Sequence, residues 1–428
     1  MSLTVLAQRT APRTTLTACA FACATGFVPT AHATNGFNLI GFGAESTLMA
    51  GADVAVARDT SALNTNPAGL SQIRGHLFDG FASVLRTTDL VHKDSLGNEE
   101  HASNMYSFLG GGGYAQSISE HCTAGVGLFA QGGAGGVFEH LNTAFGTRDE
   151  LSSLFGIAKV IPGVGCRVND RLSLGASLSL TYASIEQKVF ADTSSRAAFA
   201  GYHIENAYAL EPGFKLGMQY HVSPQLTLGV SYTSRTDLPL NGDSLIADYS
   251  AMGLGKVKYR DVSLTGFALP QEIALGFALK PAEKWLLSFK LNWINWDEAI
   301  NNVTLRATHP DNPSAPASYA TVTAGDWKDQ WVIASALAYD WDERTTLYFG
   351  HNYGKNPIPR QNTSPLLAGI LEHHVTVGMA RRVGREWKLT GGLEYMLPVK
   401  ADYSNPLFGE AQVRNEAITL HLMLSRRW

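Results

Sequence analysis

Arg171-Leu172-Ser173-Leu174-Gly175-Ala176-Ser177-Leu178-Ser179-Leu180-Thr181-Tyr182 is apolar at every even position after Arg171 and small or polar at every odd one. Period two over this length is a β-strand with one apolar and one polar face. Gln225 to Thr233 repeats the pattern with Leu226, Leu228, Val230 and Tyr232, and Trp285 to Trp293 repeats it with Trp285, Leu287, Phe289, Leu291 and Trp293. In a soluble sandwich the apolar face meets a second sheet. In a membrane barrel it meets lipid, and small polar residues face a lumen.

The links decide between these. Fourteen strands are predicted near 76–90, 104–118, 121–131, 151–168, 171–185, 205–222, 225–236, 267–280, 284–297, 329–341, 344–353, 371–383, 387–397 and 415–428. Short turns such as Ser119-Glu120, Asn169-Asp170 and Asp342-Glu343 alternate with long loops at 91–103, 132–150, 186–204, 237–266, 298–328, 354–370 and 398–414. That alternation puts all turns on one side and all loops on the other, as in an even-stranded up-and-down barrel. Ile418, Leu420, Leu422 and Leu424 share a face with the final Trp428, and Trp296, Trp331, Tyr339 and Trp387 near strand ends suit interfacial girdles.

Composition agrees. Of 428 residues only 16% are charged, 42 are glycine and 10% are aromatic. The mean hydropathy is −0.04, and no apolar run of 18 or more follows the first 30 residues, so transmembrane helices are not expected. The formal net charge of −4 gives nucleic-acid binding no support. Arg9 and Arg13, the apolar Leu16 to Val28 and the Ala31-His32-Ala33 cleavage site form a signal peptide over residues 1–33. Cys122 and Cys166 remain after cleavage. They lie near the same ends of consecutive strands, which allows a disulfide or two unpaired buried thiols.

Residues 34–75 do not fit a strand pattern. This stretch is rich in Gly and Ala and ends in Asn64-Thr65-Asn66-Pro67-Ala68-Gly69-Leu70. It is too small and polar to build its own core. Pro67 has no N–H and biases Asn66 to extended geometry, and Gly69 favours a turn, so Asn66-Pro67-Ala68 is a fixed bend. The expected class is an all-β membrane protein. A 14-stranded antiparallel up-and-down β-barrel spans residues 76–428, with a small, partly helical N-terminal hatch inside it.

The chain resembles the FadL/TodX-type outer-membrane transporters of long-chain fatty acids and aromatic hydrocarbons. The resemblance rests on Gly36-Phe37-Asn38-Leu39, Ala50-Gly51-Ala52, Asp59 through Asn66-Pro67-Ala68, Leu269-Pro270, Trp285 to Trp296, Trp327-Lys328-Asp329 and Asn356-Pro357-Ile358-Pro359. It implies uptake into a lumenal pocket and sideways release into the membrane at a kinked strand. The outer membrane of a Gram-negative bacterium is the implied location, with lipid and lipopolysaccharide around a monomer that the barrel-assembly machinery inserts. No cofactor, metal or nucleic acid is expected.

Candidate positions follow. Phe37 is the implied pocket aromatic, either stopper or anchor. Lys328 resembles a substrate-contacting lysine, and Lys188 just after strand five is a second candidate; solvated ion pairs are the alternative for Lys328. A carboxylate needs such a partly desolvated cation. Gly110, Gly111, Gly112 and Gly113 in strand two, with Gly132 and Gly133 beyond strand three, mark a thin, kinked wall, or room for the plug. Asn66, Pro67 and Ala68 are expected close to that wall. Apolar residues of the outer loop, Leu240, Leu245, Ile246, Tyr249, Met252 and Leu254, suggest a capture surface, with packing of the loop against its neighbours as the alternative. A diffusion porin would show charged rings and no plug. An enzyme would need a motif such as G-x-S-x-G or H-E-x-x-H, and neither occurs. His373 and His374 are adjacent in a strand and must face opposite ways.

Overall fold

A computed structural model describes residues 35–428 apart from 197–198 and 368; the leader at 1–33 lies outside the described residues. The barrel strands are β1 (His76–Thr87), β2 (Tyr106–Ser117), β3 (Cys122–Asn142), β4 (Arg148–Arg167), β5 (Leu172–Ser195), β6 (Phe199–His221) and β7 (Leu226–Thr233). They continue as β8 (Glu272–Ala282), β9 (Trp285–Ile294), β10 (Gln330–Asp340), β11 (Thr345–Gly354), β12 (His373–Val383), β13 (Trp387–Asn405) and β14 (Gly409–Arg427). Each pairs antiparallel with the next. β1 closes on β14 from Leu77↔Arg427 to Thr87↔Ala417. Closure leaves no free sheet edge at this seam, which is what lets strands cross an apolar medium.

The period-two reading holds in three dimensions. Leu174, Leu228 and Leu422 point outward and are 44%, 40% and 49% exposed, while Ser173, Ser177 and Ser231 point inward and are buried. Trp331, Trp387 and Trp428 are exposed on the outer surface. Trp296 is not. It opens a short helix, Trp296–Ala299, and is fully buried inside, because the chain leaves β9 and turns inward there.

Three long loops prove shorter than expected. β3, β5 and β13 run on to Asn142, Ser195 and Asn405, and the chain returns after a few residues. Continued pairing satisfies the backbone N–H and C=O groups beyond the apolar belt, so the ribbons extend. Register shifts at Phe138/Leu141 and Val189/Ser194 mark this region. The 237–266 loop also forms strands, with Lys256–Thr265 pairing to Asn302–Pro310. Leu240 and Leu245 are buried in the apolar mass that these loops share, with Tyr249 at its edge. That corrects the capture-surface expectation: packing holds these residues, and Met252 is the large one left exposed.

Residues from Asn35 to Gly75 run through the lumen with short helical turns at Ala44–Leu48, Thr60–Leu63 and Pro67–Gln72. Asp59 and Asn66 cap the last two by accepting from Ser61 N and Ala68 N. The barrel's small polar residues serve this segment. Ser177 donates to Leu63 O (2.8 Å), Thr376 to Leu48 O (2.8 Å) and Asn352 to Ala50 O (3.0 Å). Carbonyls that would otherwise be buried without partners are thereby satisfied.

Candidate functional site

The Asn66-Pro67-Ala68 bend sits against β4, β5 and β6. A Cβ at Gly165 would lie 2.3 Å from Pro67 O, and one at Gly217 would lie 2.0 Å from Asn66 Oδ1. Only glycine permits that approach. The Asn66 amide points at three carbonyls, Val54 O (2.7 Å), Met218 O (3.0 Å) and Val230 O (3.3 Å). The sequence placed this bend beside the kinked strand three. It lies further round the wall, because strand stagger sets which glycines share a level.

The other end of the hatch meets β3. β2 and β3 pair from Gly111↔Phe129 down to Ser117↔Thr123, and no further up. Above that level β2 continues its pairing with β1, to Tyr106, and β3 shifts register against β4 between Ala130 and Gly132. The two strands are linked again by Ser103 N to Val137 O (2.8 Å) and Val137 N to Asn104 Oδ1 (2.8 Å). Between these levels the wall has a gap. Hatch backbone takes the missing place: Gly133 N donates to Phe37 O (3.1 Å), and Leu39 N donates to Gln131 O (3.3 Å). Asn64 adds a side-chain bond to Gln131 (2.9 Å). A Cβ on Gly132 would stand 1.8 Å from Phe37 O. Gly110 lies at the gap, while Gly111 and Gly113 lie below it and make room for Phe81 and Thr60. Leu39, Ile40, Phe42, Leu109 and Ala130 line a small cavity of about 20 Å³ at the inner mouth of the gap.

Phe37 itself is buried in an aromatic box. Its ring centroid lies 4.8 Å from Trp327, 5.2 Å from Phe155, 5.6 Å from Trp296 and 6.3 Å from Phe267. Pairs at such spacing add about 0.5–1.5 kcal/mol each beyond area burial. Phe155 and Phe267 escaped the sequence reading; Phe267, two residues before Leu269-Pro270, carried the stronger signal.

Below the box a second cavity, of about 50 Å³, is lined by Lys159, Lys215, Lys290, Glu272 and Asp53 among others. Sequence reasoning missed it, because its charges come singly from four strands and the hatch. Glu272 accepts from Asn38 (2.9 Å) and Asn292 (2.8 Å). Lys290 stands 3.6 Å from Asp53.

A model of the outer membrane protein transport protein family (OMPP1/FadL/TodX) matches residues 22–406. The chain belongs to that family. Solved structures share the fold. The Pseudomonas putida toluene transporter TodX is 19% identical with a TM-score of 0.77, and 91% of this chain covers 99% of it. The Ralstonia pickettii toluene transporter TbuX is 18% identical with a TM-score of 0.75, over 91% and 99%. A Pseudomonas aeruginosa FadL homologue is 14% identical with a TM-score of 0.72, over 92% and 99%. No individually curated protein matches the sequence at a significant level.

As a member of the OMPP1/FadL/TodX family, the chain is an outer-membrane transport protein and not an enzyme. Its remaining candidates fall as follows. Lys328 is exposed and stands 3.5 Å from Asp297, and Lys188 is paired with Glu150 at 3.1 Å. Neither lines the two lumenal cavities. The structure joins Cys122 and Cys166, directly opposite on β3 and β4, in a disulfide. His374 faces inward to Glu394 (2.5 Å), and His373 faces outward to His351 (3.1 Å).

The hatch also carries shifted carboxyls. Burial alone would raise Glu45, but Lys388 and Arg58 outweigh it and hold the carboxyl below the usual range. Glu45 accepts from Arg58 at 2.8 Å and from Lys388 at 2.5 Å. Burial, with Asp79 and Glu45 nearby, pushes the Asp59 carboxyl up to about 7.

Proposed function

We propose that this chain takes up hydrophobic small molecules, long-chain fatty acids foremost, and releases them sideways into the membrane through the wall between β2 and β3. The observation that carries the reading is the end of the β2–β3 ladder at Gly111↔Phe129, above which hatch backbone bonds β3 at Gln131 and Gly133. A hatch held there by few bonds is displaced more readily than a strand in a full ladder. The cavity at the inner mouth, where Leu39, Ile40, Phe42, Leu109 and Ala130 stand beside Glu394 and His421, supports the same route. An acyl chain gains about 0.8 kcal/mol per methylene on leaving water, so a path that ends in lipid runs downhill. Phe37 acts as the stopper of the route and Asn66, Pro67 and Ala68 as its fixed corner; Gly110, Gly132 and Gly133 border the exit. Uptake of neutral aromatic hydrocarbons is the second reading, supported by the toluene transporters that share the fold.

The test places a cysteine at Ala130, on the gap. Cells carrying Ala130→Cys are labelled with a benzyl thiosulfonate, and uptake of labelled oleate and toluene is followed. Labelling is expected to lower both at least tenfold, with recovery on mild reduction. The same label at Leu275→Cys, outward on β8, is expected to do nothing. Unchanged uptake after complete labelling at position 130 ends the sideways route.

A further inference from the structure

The geometry points to a saccharide-binding pocket on the outer face of the barrel, between β6 and residues 239–243, that takes a neutral sugar of the lipopolysaccharide core. It is independent of the route proposed above and needs only the outer-membrane location.

The pocket exists because the wall breaks a second time. β6 and β7 pair upward as far as Lys215↔Thr233. Ser234 N then donates to Phe214 O and Phe214 N to Ser234 Oγ, both at 2.9 Å. Beyond this the chain leaves β6, and Thr236 and Asp237 pair with Leu269 and Ala268 instead. It returns at Asn241, opposite Tyr208. Among the described residues no backbone bond joins residues 209–212 of β6 to this side. Phe214 turns both its N–H and its C=O to residue 234, so ladder alternation turns the N–H and C=O of Leu210 and the C=O of Pro212 the same way. Proline suits such an edge because it has no N–H to leave unpaired. Gly242 closes the top of the break, where a Cβ would stand 2.4 Å from Asn206 O. What remains is a void of about 510 Å³, larger than either lumenal cavity.

The lining has the chemistry of a sugar site. Tyr208 is 52% exposed, and Tyr182 on β5 stacks on it from the side away from the void, with ring centroids 6.2 Å apart. Asn206, Glu211 and Asp243 stand around it. Among the described residues these three side chains and the Tyr208 hydroxyl have no hydrogen bond or ion pair. A pyranose has an apolar C–H face and a rim of hydroxyls. The tyrosine ring takes the first. The carboxylates accept from the second by charge-assisted bonds, and the Asn206 amide and Leu210 N–H supply donors. No Lys, Arg or His lines the void, whereas two carboxylates do, so a phosphorylated sugar is repelled and a neutral one is not.

The level of the pocket names the source. Leu210, Phe214 and Leu216 face outward on the lipid side of Tyr208, and the exposed Glu205 and Asn206 follow on the other. Tyr208 therefore stands where aromatic belts stand, at the head groups. The sugars next to that level on the outer leaflet belong to lipopolysaccharide. A free sugar buries little surface and binds weakly, but one carried on a lipid already in the leaflet is presented at high effective concentration. It would fill the break that strand pairing leaves in the wall.

The test uses the purified full-length protein in a maltoside detergent, folded as judged by heat-modifiable gel mobility. Native mass spectrometry follows competition between lipopolysaccharide with its complete core and lipid A alone. Wild type is expected to hold the core-bearing form roughly tenfold more tightly. Tyr208→Ala with Asp243→Ala, both at exposed positions, is expected to bring that ratio near one and to leave lipid A binding unchanged. Should the double variant fail to fold, Leu210→Trp, which fills the void from an exposed position, is expected to cut the ratio at least threefold. A wild-type ratio of one, or a ratio that survives these replacements, overturns the site. Chelation of divalent cations separates sugar from phosphate. An unchanged ratio supports the pocket, whereas a preference lost in chelator would mean cation-bridged phosphates and would overturn it. Core oligosaccharide freed from its lipid is the last arm, and it is expected to compete at least tenfold less well than the intact molecule. Equal competition would mean a site for soluble sugars and would overturn the lipid-borne source.

Discussion

The two ends of the hatch are held in different ways. At Asn66-Pro67-Ala68 the chain is wedged into glycine slots on three adjacent strands, and one amide addresses three carbonyls. At Phe37 to Leu39 it is held by two backbone bonds to the free edge of β3 and by aromatic packing. The first arrangement needs a closed wall behind it, and the second exists because the wall is incomplete. On the proposed route, a plug anchored at one corner and pinned at the other end would swing without being expelled.

The sharpest way to break that contrast is Phe37→Ala. Truncating a buried Phe costs about 3 kcal/mol or more. Hydrogen exchange by mass spectrometry is expected to show residues 35–42 losing protection while 60–72 keep theirs. Equal loss at both ends would make the hatch one rigid body. Asn66→Ala comes next, at about 2 kcal/mol for carbonyls left without their donor. Here protection is expected to fall throughout the hatch, and planar-bilayer conductance to rise.

Asp59→Asn sharpens the picture through pH. The folded carboxyl is raised to about 7, above its ordinary value. Its protonated form is therefore favoured by folding, and the stability it contributes is lost as pH rises from about 4 through 7. Glu45 has the opposite sign: its contribution is present above its ordinary value and is lost only in more acid solution. Hatch protection in wild type is expected to drop by on the order of 1 kcal/mol between pH 5 and 8, and Asp59→Asn to flatten that slope. The smallest effect belongs to Lys328→Ala. An exposed pair such as Lys328–Asp297 is worth about 0–1 kcal/mol, so oleate and toluene uptake are both expected to stay within about twofold of wild type. A selective loss of oleate uptake would restore this lysine to the substrate path.

Much of the barrel was legible because period two leaves little choice: Leu174, Leu228 and Leu422 had to share a face. The hatch was legible by elimination, since a Gly- and Ala-rich stretch needs a host. Other features depend on which residues meet around a closed cylinder, and sequence order does not carry that. Pro67 meets Gly175 and Gly217 through strand stagger. Lys159, Lys215 and Lys290 look like unrelated strand residues until closure brings them to one void. Trp296 fits a girdle by its distance from a strand, and only the inward turn of its helix sends it to Phe37. The ribbons past residue 131 were hidden because, beyond the lipid, outward residues need not be apolar.

The covalent bridge between Cys122 and Cys166 sits at the foot of β3, the strand whose ladder with β2 ends at Gly111↔Phe129. It fastens β3 to β4 at the end away from the opening. On the proposed route, widening of the doorway would be a bending of a riveted hairpin whose base cannot peel, and the jamb would return to the same place after each passage.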